Sequence, residues 1–194
     1  MPALPTLEGS TLRLRPLATR DADAILRLYG DRAANRFGYQ PKMDDLDDAR
    51  ALVARTTELA DQGTVLHWGV ARRDDDFVVG HATLFAFEAR GARAEVGYSI
   101  EKSCWGRGFG TEAVGILVRH AFEDRGLRRL EGDVDPRNVA SLRLLERLGF
   151  VREGYLRERW VMPTPDGAGD IQDSVMFGLL RREWDARRAR PDLA

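Results

Sequence analysis

The stretch Ser103-Cys104-Trp105-Gly106-Arg107-Gly108-Phe109-Gly110-Thr111-Glu112-Ala113 follows a strand-like segment and opens a helical one. Its glycines let the backbone approach an anion, and the exposed amides of a helix N-terminus supply donors and the positive end of the dipole. Arg107 adds a charged donor and Thr111 adds a hydroxyl. The pattern therefore favours a phosphate or pyrophosphate site over a plain connecting turn.

The spacing of these glycines excludes two common phosphate loops. A Walker A loop places a Lys-Ser or Lys-Thr pair after the last glycine, whereas Gly110 is followed by Thr111 and Glu112. The usual dinucleotide fingerprint opens a first βαβ unit, whereas this Gly-x-Gly-x-Gly run follows a strand meander.

Hydrophobic periodicity predicts the elements that precede the loop. An alternating strand ends near Pro16, a helix follows with Thr19 as its N-cap, and a second helix begins in an acidic run at 44–48 and ends at Gly63. We interpret the acidic run as a solvated helix N-terminus rather than a cation site. The predicted ranges are strand 11–17, helices 19–29 and 46–60, and strands 65–72, 77–87 and 94–100.

The segments after the loop alternate between helix and strand. Gly126 ends the first helix and Gly149 ends the second. The predicted ranges are helix 113–122, strand 129–134, helix 139–148, strands 150–162 and 171–180, and a short basic helix over 181–190. A meander followed by crossover units indicates the α/β class, with a mixed sheet that carries helices on its faces.

The composition is that of an ordinary globular domain. The chain has 194 residues, 43% of them hydrophobic, and a formal net charge of −1, so its overall charge points to neither nucleic acid nor an anionic membrane. Cys104 is the only cysteine and the three histidines are scattered, so we predict no metal. No signal-like or membrane-spanning run is visible, and we expect a cytoplasmic single domain over 1–194, with its core at 11–184 and a basic tail at 185–194.

The glycine loop resembles a family signature. Residues 105–110 are similar to the Arg/Gln-x-x-Gly-x-Gly/Ala acetyl-CoA motif of the GNAT acetyltransferase superfamily, with Trp105 in place of the usual Arg or Gln. That replacement is common in the RimJ/RimL branch, which includes the ribosomal-protein N-terminal acetyltransferases. Further matches to that branch are 95–98, 111–113, 135–141, 144–150, 153–157, Asp173 and 183–184.

This resemblance implies the GNAT fold, in which a mixed, mostly antiparallel sheet is splayed at the acetyl-CoA site and flanked by helices. It implies acetyl-CoA as the co-substrate and no metal. The loop amides of the family hold the CoA pyrophosphate, and the strand before the loop pairs through its backbone with the pantetheine arm. The residues that this assigns to CoA are Tyr98, Ser99, Ile100, Arg107, Gly108, Phe109, Gly110, Thr111 and Asn138.

Asn138 and Ser141 each have a second interpretation. On sequence alone, Asn138 is better explained as the N-cap of the helix that it begins, whereas the family uses this Asn to contact pantetheine. Many relatives place a tyrosine acid seven residues after the Asn, but that position is Leu145 here. The branch carries a serine three residues after the Asn instead, so Ser141 is the candidate to hydrogen-bond or protonate the leaving thiolate.

The reaction also needs a neutral amine, and the candidate bases are Glu95, Asp133, Asp135 and Asp173. Each is equally well explained as a solvated or ion-paired carboxylate, and that explanation is favoured for Asp133 and Asp135. Glu95 matches the family's strand, and Asp173 matches an acidic position that faces the acceptor groove in the branch. No acyl-enzyme is expected, so Cys104 is interpreted as a small filler.

The implied reaction is direct transfer of an acetyl group to a primary amine. The favoured acceptor is a protein or peptide α-amine, because its pKa of ~8 is far lower than the ~10.4 of a lysine amine. A small amine such as an aminoglycoside, a polyamine or an amino-acid derivative is the alternative acceptor. The alternative functions are a non-catalytic acyl-CoA-binding module and another nucleotide-phosphate binder. A homodimer is also an open alternative for the assembly. The loops 37–42 and 162–170 are expected to border the acceptor, without a legible code for it.

Overall fold

The computed structural model describes residues 4–31, 35–38, 42–88, 90, 92–162, 164 and 169–189. Over these residues the helices are α1 (Ala22–Gly30), α2 (Leu46–Gln62), α3 (Phe109–Arg119), α4 (Val139–Leu148) and α5 (Arg181–Arg188). The strands are β1 (Leu7–Glu8), β2 (Leu12–Pro16), β3 (Leu66–Arg72), β4 (Val78–Glu88), β5 (Arg93–Ile100), β6 (Arg129–Val134), β7 (Val151–Met162) and β8 (Asp170–Leu180).

The strands form one mixed sheet in the order β1-β2-β3-β4-β5-β6-β8-β7. Neighbouring strands are antiparallel except for β5 and β6, which run parallel. The prediction of a mixed, mostly antiparallel sheet is thus confirmed. Because the chain must cross over to make the parallel pair, α3 lies between β5 and β6 in the sequence and covers one face.

The two faces of the sheet carry different helices. One face packs against α3 and α4 in an apolar cluster that includes Trp68, Leu117 and Phe122, all fully buried. The other face packs against α1 and α2 in a smaller cluster around Ile25 and Val53. We call these the α3 face and the α1 face. Side chains alternate along a strand, so neighbouring residues of β5 point to opposite faces.

The start of α1 differs from the prediction. Thr19 is not an N-cap, because it lies inside a short 3₁₀ turn over Thr19–Asp21 that leads into the helix. The Asp21 carboxylate accepts a hydrogen bond from the Ala18 amide at 2.8 Å and pairs with the buried Arg15 guanidinium at 2.7 Å. This ion pair, rather than a threonine cap, fixes the helix start.

Helix α3 also differs, since it begins at Phe109 inside the glycine loop and ends at Arg119 instead of running over 113–122. The remaining boundaries lie closer to the predictions. Asp45 caps α2 by accepting from the Asp48 amide at 2.9 Å, and Gly63 ends this helix in the left-handed region, which confirms the interpretation of the acidic run. The short strand β1 was not predicted, nor was the π-helical turn over His120–Asp124 that follows α3. Residue 190 of the predicted basic helix lies outside the described residues.

No helix in the described ranges is long and apolar enough to cross a membrane. The same ranges hold no group of three or more His, Cys, Asp or Glu side chains placed to bind a metal ion.

Candidate active site

The sheet opens between β5 and β6. Their parallel register runs from Arg93 with Arg129 to Glu95 with Glu131 and stops there. Beyond it, residues 96–100 and 132–134 pair only with β4 and β8 respectively. The described part of the chain therefore holds a V-shaped opening with Glu95 at its apex, bordered by strand backbone that has no partner strand on that side.

The glycine loop lies at the wide end of this opening. Gly106 and Gly108 have φ of 74° and 79°, so both adopt the left-handed conformation that glycine tolerates best. Gly108 is the N-cap of α3, and the first amide of the helix to bond a loop carbonyl is that of Glu112, which donates to Gly108 at 3.0 Å. The first-turn amides of Phe109, Gly110 and Thr111 precede it and so have no acceptor within the helix.

Arg107 is placed to assist an anion at these amides. Its guanidinium lies 4.7 Å from the centre of the Phe109 ring and makes no ion pair with any described residue. A free guanidinium, free helix amides and the positive end of the α3 dipole together fit a pyrophosphate.

Trp105 ties the loop to the end of β5. Its indole N–H donates to the Ile100 carbonyl at 2.7 Å while the ring itself stays half exposed. The Ile100 carbonyl, one of the main-chain groups expected to contact pantetheine, is therefore already bonded. The Glu101 amide donates to the Val79 carbonyl, so the alternation of the ladder turns the Ser99 backbone toward β4 and the Tyr98 backbone toward the opening. This leaves the Tyr98 backbone as the better-placed partner. The residue that departs from the family motif thus has a structural role in orienting the loop.

Glu112 ties the first turn of α3 to residues 10–12, at the start of β2. Its carboxylate accepts from the Thr11 and Leu12 amides at 2.7 and 3.0 Å, and from the Ser10 and Thr11 hydroxyls at 3.0 and 2.5 Å. Burial acts to raise the pKa of Glu112, but these bonds together outweigh it and lower the pKa. The carboxylate thus ties the start of β2 to the helix that carries the anion site.

The N-terminus of α4 borders the opening on the α3 face. Asn138 caps this helix by accepting from the Ser141 amide at 3.2 Å, so the prediction of an N-cap is confirmed and only the carbonyl half of the side-chain amide is used. Leu145 is fully buried, and its side chain would lie 2.9 Å from a Cβ added at Gly132 of β6. The position at which many relatives carry a tyrosine therefore packs against the sheet.

Tyr98 lies on the part of β5 that does not pair with β6, and its side chain points to the same face of the sheet as Ser141. Burial raises the pKa of its hydroxyl to about 12, and the nearby Ser141 side chain lowers that pKa by a smaller amount. The hydroxyl is buried, yet the two groups do not reach hydrogen-bond geometry, and no other described group bonds it.

Glu95 is the isolated carboxylate of the site. It is half buried and forms no hydrogen bond or ion pair with a described residue. Burial, followed by the negative charges of Asp133 and Glu131, raises its pKa, while Arg93 and Arg159 act in the opposite direction. Glu131 is itself paired, since it accepts from Arg93 and from Arg129, the latter at 2.7 Å.

The other predicted carboxylates are held by partners. Asp133 accepts from the Trp160 indole at 3.0 Å and from the Ser174 hydroxyl, and it lies 3.7 Å from Arg159. Asp135 accepts from the amide and the guanidinium of Arg137 at 2.7 and 2.6 Å. The interpretation of both as ion-paired carboxylates is confirmed.

Asp173 is also engaged, on the hairpin of β7 and β8. The Tyr155 hydroxyl donates to it at 2.5 Å and the Glu158 amide at 2.8 Å, and these bonds lower its pKa. Its carboxylate is thus a weaker base than that of Glu95. The predicted acceptor loops lie partly outside the described residues, at 39–41, 163 and 165–168.

The sequence did not predict the roles of three side chains in the site, those of Tyr98, Trp105 and Glu112. The motif containing Trp105 and Glu112 was recognised, but nothing in it shows that the indole reaches Ile100 or that the carboxylate reaches the start of β2. The Glu112 contacts follow from the tertiary structure, since they join residues about a hundred positions apart, whereas the Trp105 contact spans only five residues and depends on the turn between them.

Taken together, the opening, the glycine loop and the free amides give this α/β protein a site suited to an extended ligand that carries a pyrophosphate. The family profile described as an acetyltransferase (GNAT) domain matches residues 11–151. An uncharacterized N-acetyltransferase, p20 of Bacillus licheniformis, is 30% identical over 92% of this chain and 98% of its own length. The ribosomal protein uS5-alanine N-acetyltransferase of Escherichia coli K12 is 27% identical over 95% of this chain and 96% of its own.

Solved structures show the same fold. A putative acetyltransferase from T. thermophilus superposes with a TM-score of 0.80 at 34% identity, covering 100% of this chain and 98% of its own. RimL, a ribosomal L7/L12 α-N-protein acetyltransferase solved with coenzyme A, has the same TM-score at 20% identity, covering 91% and 98%. The chain belongs to the GNAT family and is an acetyl-CoA-dependent N-acetyltransferase.

Proposed function

We propose that this protein transfers the acetyl group of acetyl-CoA directly to the α-amine at the N-terminus of a protein or peptide. The observation that carries the proposal is the isolated Glu95 carboxylate at the apex of the opening in the sheet. A carboxylate with no cation bound to it and a raised pKa is suited to accept a proton near neutral pH.

The donor side of the reaction rests on the main chain and α3. The amides of Phe109, Gly110 and Thr111, with Arg107, would hold the pyrophosphate, and the unpaired backbone of β5 would align the pantetheine arm. Acetyl-CoA supplies the activated thioester. Amides that point into the opening can stabilise the negative charge that develops on the carbonyl oxygen.

The residues that handle charge lie on opposite faces of β5. Glu95 points to the α1 face, and Tyr98 points to the α3 face, where Ser141 begins α4. In the proposed reaction the amine nitrogen forms a bond to the acetyl carbon, its proton passes to Glu95 directly or through water, and the C–S bond breaks. Ser141 donates a hydrogen bond to the departing sulfur, and solvent finally protonates the thiolate.

An α-amine suits this machinery better than a lysine side chain. The α-amine is deprotonated near pH 8, so a single weak carboxylate base is sufficient. Asp173 is the reserve candidate, but its hydrogen bonds from Tyr155 and Glu158 make it a poorer base. The names of two relatives support the same acceptor class, since one acts on the alanine of a ribosomal protein and the other is a ribosomal α-N-protein acetyltransferase.

The experiment is an acceptor screen read by mass shift. The purified chain and acetyl-CoA are incubated with peptides that have free N-termini, with Nα-blocked peptides that contain lysine, and with polyamines, aminoglycosides and amino acids. We expect acetylation of the free N-termini, and lower turnover of blocked peptides because their amine stays protonated. Preferential turnover of a small amine would show that the acceptor is not a peptide, whereas the proposed transfer from acetyl-CoA to an amine would still hold.

Two further readouts test the rival functions. If CoA binds tightly but no amine is acetylated, the protein is an acyl-CoA-binding module. A thermal shift with ATP or NAD and none with CoA would contradict the assignment of the site. A homodimer also stays a prediction, and light scattering of the purified chain tests it.

A further inference from the structure

The Tyr98 hydroxyl is an anomaly in the core. Buried polar atoms almost always have a hydrogen-bond partner. The described residues contain few exceptions, and Tyr98 contributes the only hydroxyl among them, the others being Arg13 Nε, His67 Nε2, His81 Nδ1 and His120 Nε2. A phenylalanine would fill the same volume without leaving a hydroxyl unbonded. Packing alone therefore does not account for a tyrosine here.

The position of Tyr98 connects this anomaly with the opening in the sheet. Tyr98 pairs with Ala82 of β4 on one side, and on the other side it belongs to the part of β5 that β6 does not cover. Its side chain points to the α3 face, and the polar group next to its hydroxyl is the side chain of Ser141 in the first turn of α4. The unbonded hydroxyl and the candidate donor to the sulfur are thus neighbours.

A serine hydroxyl can accept two hydrogen bonds and donate one. In this structure the Ser141 amide is fixed by Asn138, but no described group fixes the direction of its hydroxyl proton. A donor that bonded Ser141 Oγ would occupy an acceptor position and leave the single proton free to point elsewhere. Tyr98 is the donor placed to do this.

We propose that Tyr98 is a positioning residue for acetyl transfer, whose hydroxyl donates to Ser141 Oγ when the donor substrate is bound and directs the Ser141 proton to the departing sulfur. This inference rests on the proposed function. Neither hydroxyl gives up its proton, because burial raises the pKa of the Tyr98 phenol to about 12 and a serine hydroxyl is a still weaker acid, whereas the departing thiol has a pKa of ~8.5. Both hydroxyls act as hydrogen-bond donors while negative charge builds on sulfur.

The first test is the variant Tyr98→Phe, with Tyr29→Phe as a control for loss of a buried tyrosine hydroxyl on the α1 face. We expect kcat to fall about 3- to 10-fold in Tyr98→Phe, the value of one ordinary hydrogen bond, with an unchanged KM for acetyl-CoA. The melting temperature should be equal or higher, because an unbonded buried hydroxyl is removed. Ser141→Ala should abolish the effect of Tyr98→Phe in the double variant.

If Tyr98 is purely structural, Tyr98→Phe will lower the melting temperature or leave kcat unchanged, and either result would overturn the proposal. A loss of kcat in Tyr98→Phe that adds to the loss in Ser141→Ala would overturn it as well. A second measurement does not depend on the acceptor, namely the titration of the thiol of bound CoA by ultraviolet absorbance of the thiolate. We expect the thiol pKa to rise in both variants, and by more in Ser141→Ala, because Tyr98→Phe leaves the Ser141 hydroxyl in place but no longer directs it. If no amine is ever acetylated yet this shift is present, the proposed function fails and the positioning role stands. If neither variant shifts the thiol pKa, the role is excluded.

Discussion

The donor region and the hairpin of β7 and β8 are built in different ways. The donor region, formed by the loop at 105–111, the first turn of α3 and the open part of β5, presents mainly main-chain groups in conformations that glycines permit. The hairpin of β7 and β8 presents side chains, and its polar groups bond across strands, as in Trp160 to Asp133 and Tyr155 to Asp173. A backbone site can be inferred from a local motif, whereas a side-chain site depends on contacts between distant segments.

The largest effect is expected at Glu95, where the two regions meet. Glu95→Gln should lower kcat about 10²- to 10³-fold with a small change in KM for acetyl-CoA, because the proposed base is removed and the loop at 105–111 is not touched. Asp173→Asn is the matched variant on the hairpin. An equal loss of kcat in Asp173→Asn would indicate that the base lies on the hairpin, and it would contradict the difference drawn between the two regions.

The raised pKa of Glu95 also fixes the sign of a stability effect. Burial favours its neutral form, so the stability contributed by Glu95 is present in acid and is lost as the pH rises through its raised pKa. Glu95→Gln should therefore melt at a higher temperature than the wild type at neutral pH, with the difference vanishing at acid pH. In the wild type, kcat should decline as the pH falls through the same pKa.

A pair of glycine substitutions compares the two regions directly. A Cβ at Gly80 would lie 2.3 Å from the Ser99 carbonyl oxygen, against the open part of β5, whereas a Cβ at Gly154 of β7 would meet nothing within 4 Å. Gly80→Ala should cost about 1–3 kcal/mol and weaken CoA binding, since the backbone of β5 must shift. Gly154→Ala should leave CoA affinity unchanged, as calorimetric titration with CoA would show.

Glu112→Gln tests the support beneath the donor region. The amide can replace only part of an acceptor set that serves two backbone amides and two hydroxyls, so we expect a loss of about 1–3 kcal/mol. The KM for acetyl-CoA should rise more than kcat falls. Because the pKa of Glu112 is lowered, the stability that it contributes at neutral pH is lost as the pH falls through that pKa. The gap in melting temperature between the variant and the wild type should therefore narrow in acid, and a constant gap would contradict the assigned role.

The smallest effect is expected from Asp173→Asn. The carboxylate bonds Tyr155 and Glu158 on an exposed hairpin, so the change should alter kcat by about twofold or less. Steady-state kinetics with the best peptide acceptor measures this. A larger rise in peptide KM with constant kcat would instead place Asp173 on the acceptor.

What could be predicted from the sequence differs in the same way, since features set by local patterns were predicted and features set by contacts between distant segments were not. Strand β5, helix α3 and the N-cap at Asn138 were predicted because alternation, glycine spacing and capping are local patterns. The start of α1 was not, because a buried Arg15–Asp21 pair overrides the cap expected at Thr19. The isolation of Glu95 could not be predicted, since it depends on Arg93 and Arg159 pairing with Glu131 and Asp133 of β6 instead.

Hydrogen exchange of the full chain, followed by mass spectrometry with and without CoA, tests the central claim most directly. We expect CoA to slow exchange in the segments at 96–100 and 105–111, and to leave the segment at 151–159 on β7 unchanged, because the ligand bonds the open strand and the helix amides. Protection confined to the β7–β8 hairpin, or no protection at 105–111 at saturating CoA, would contradict the account.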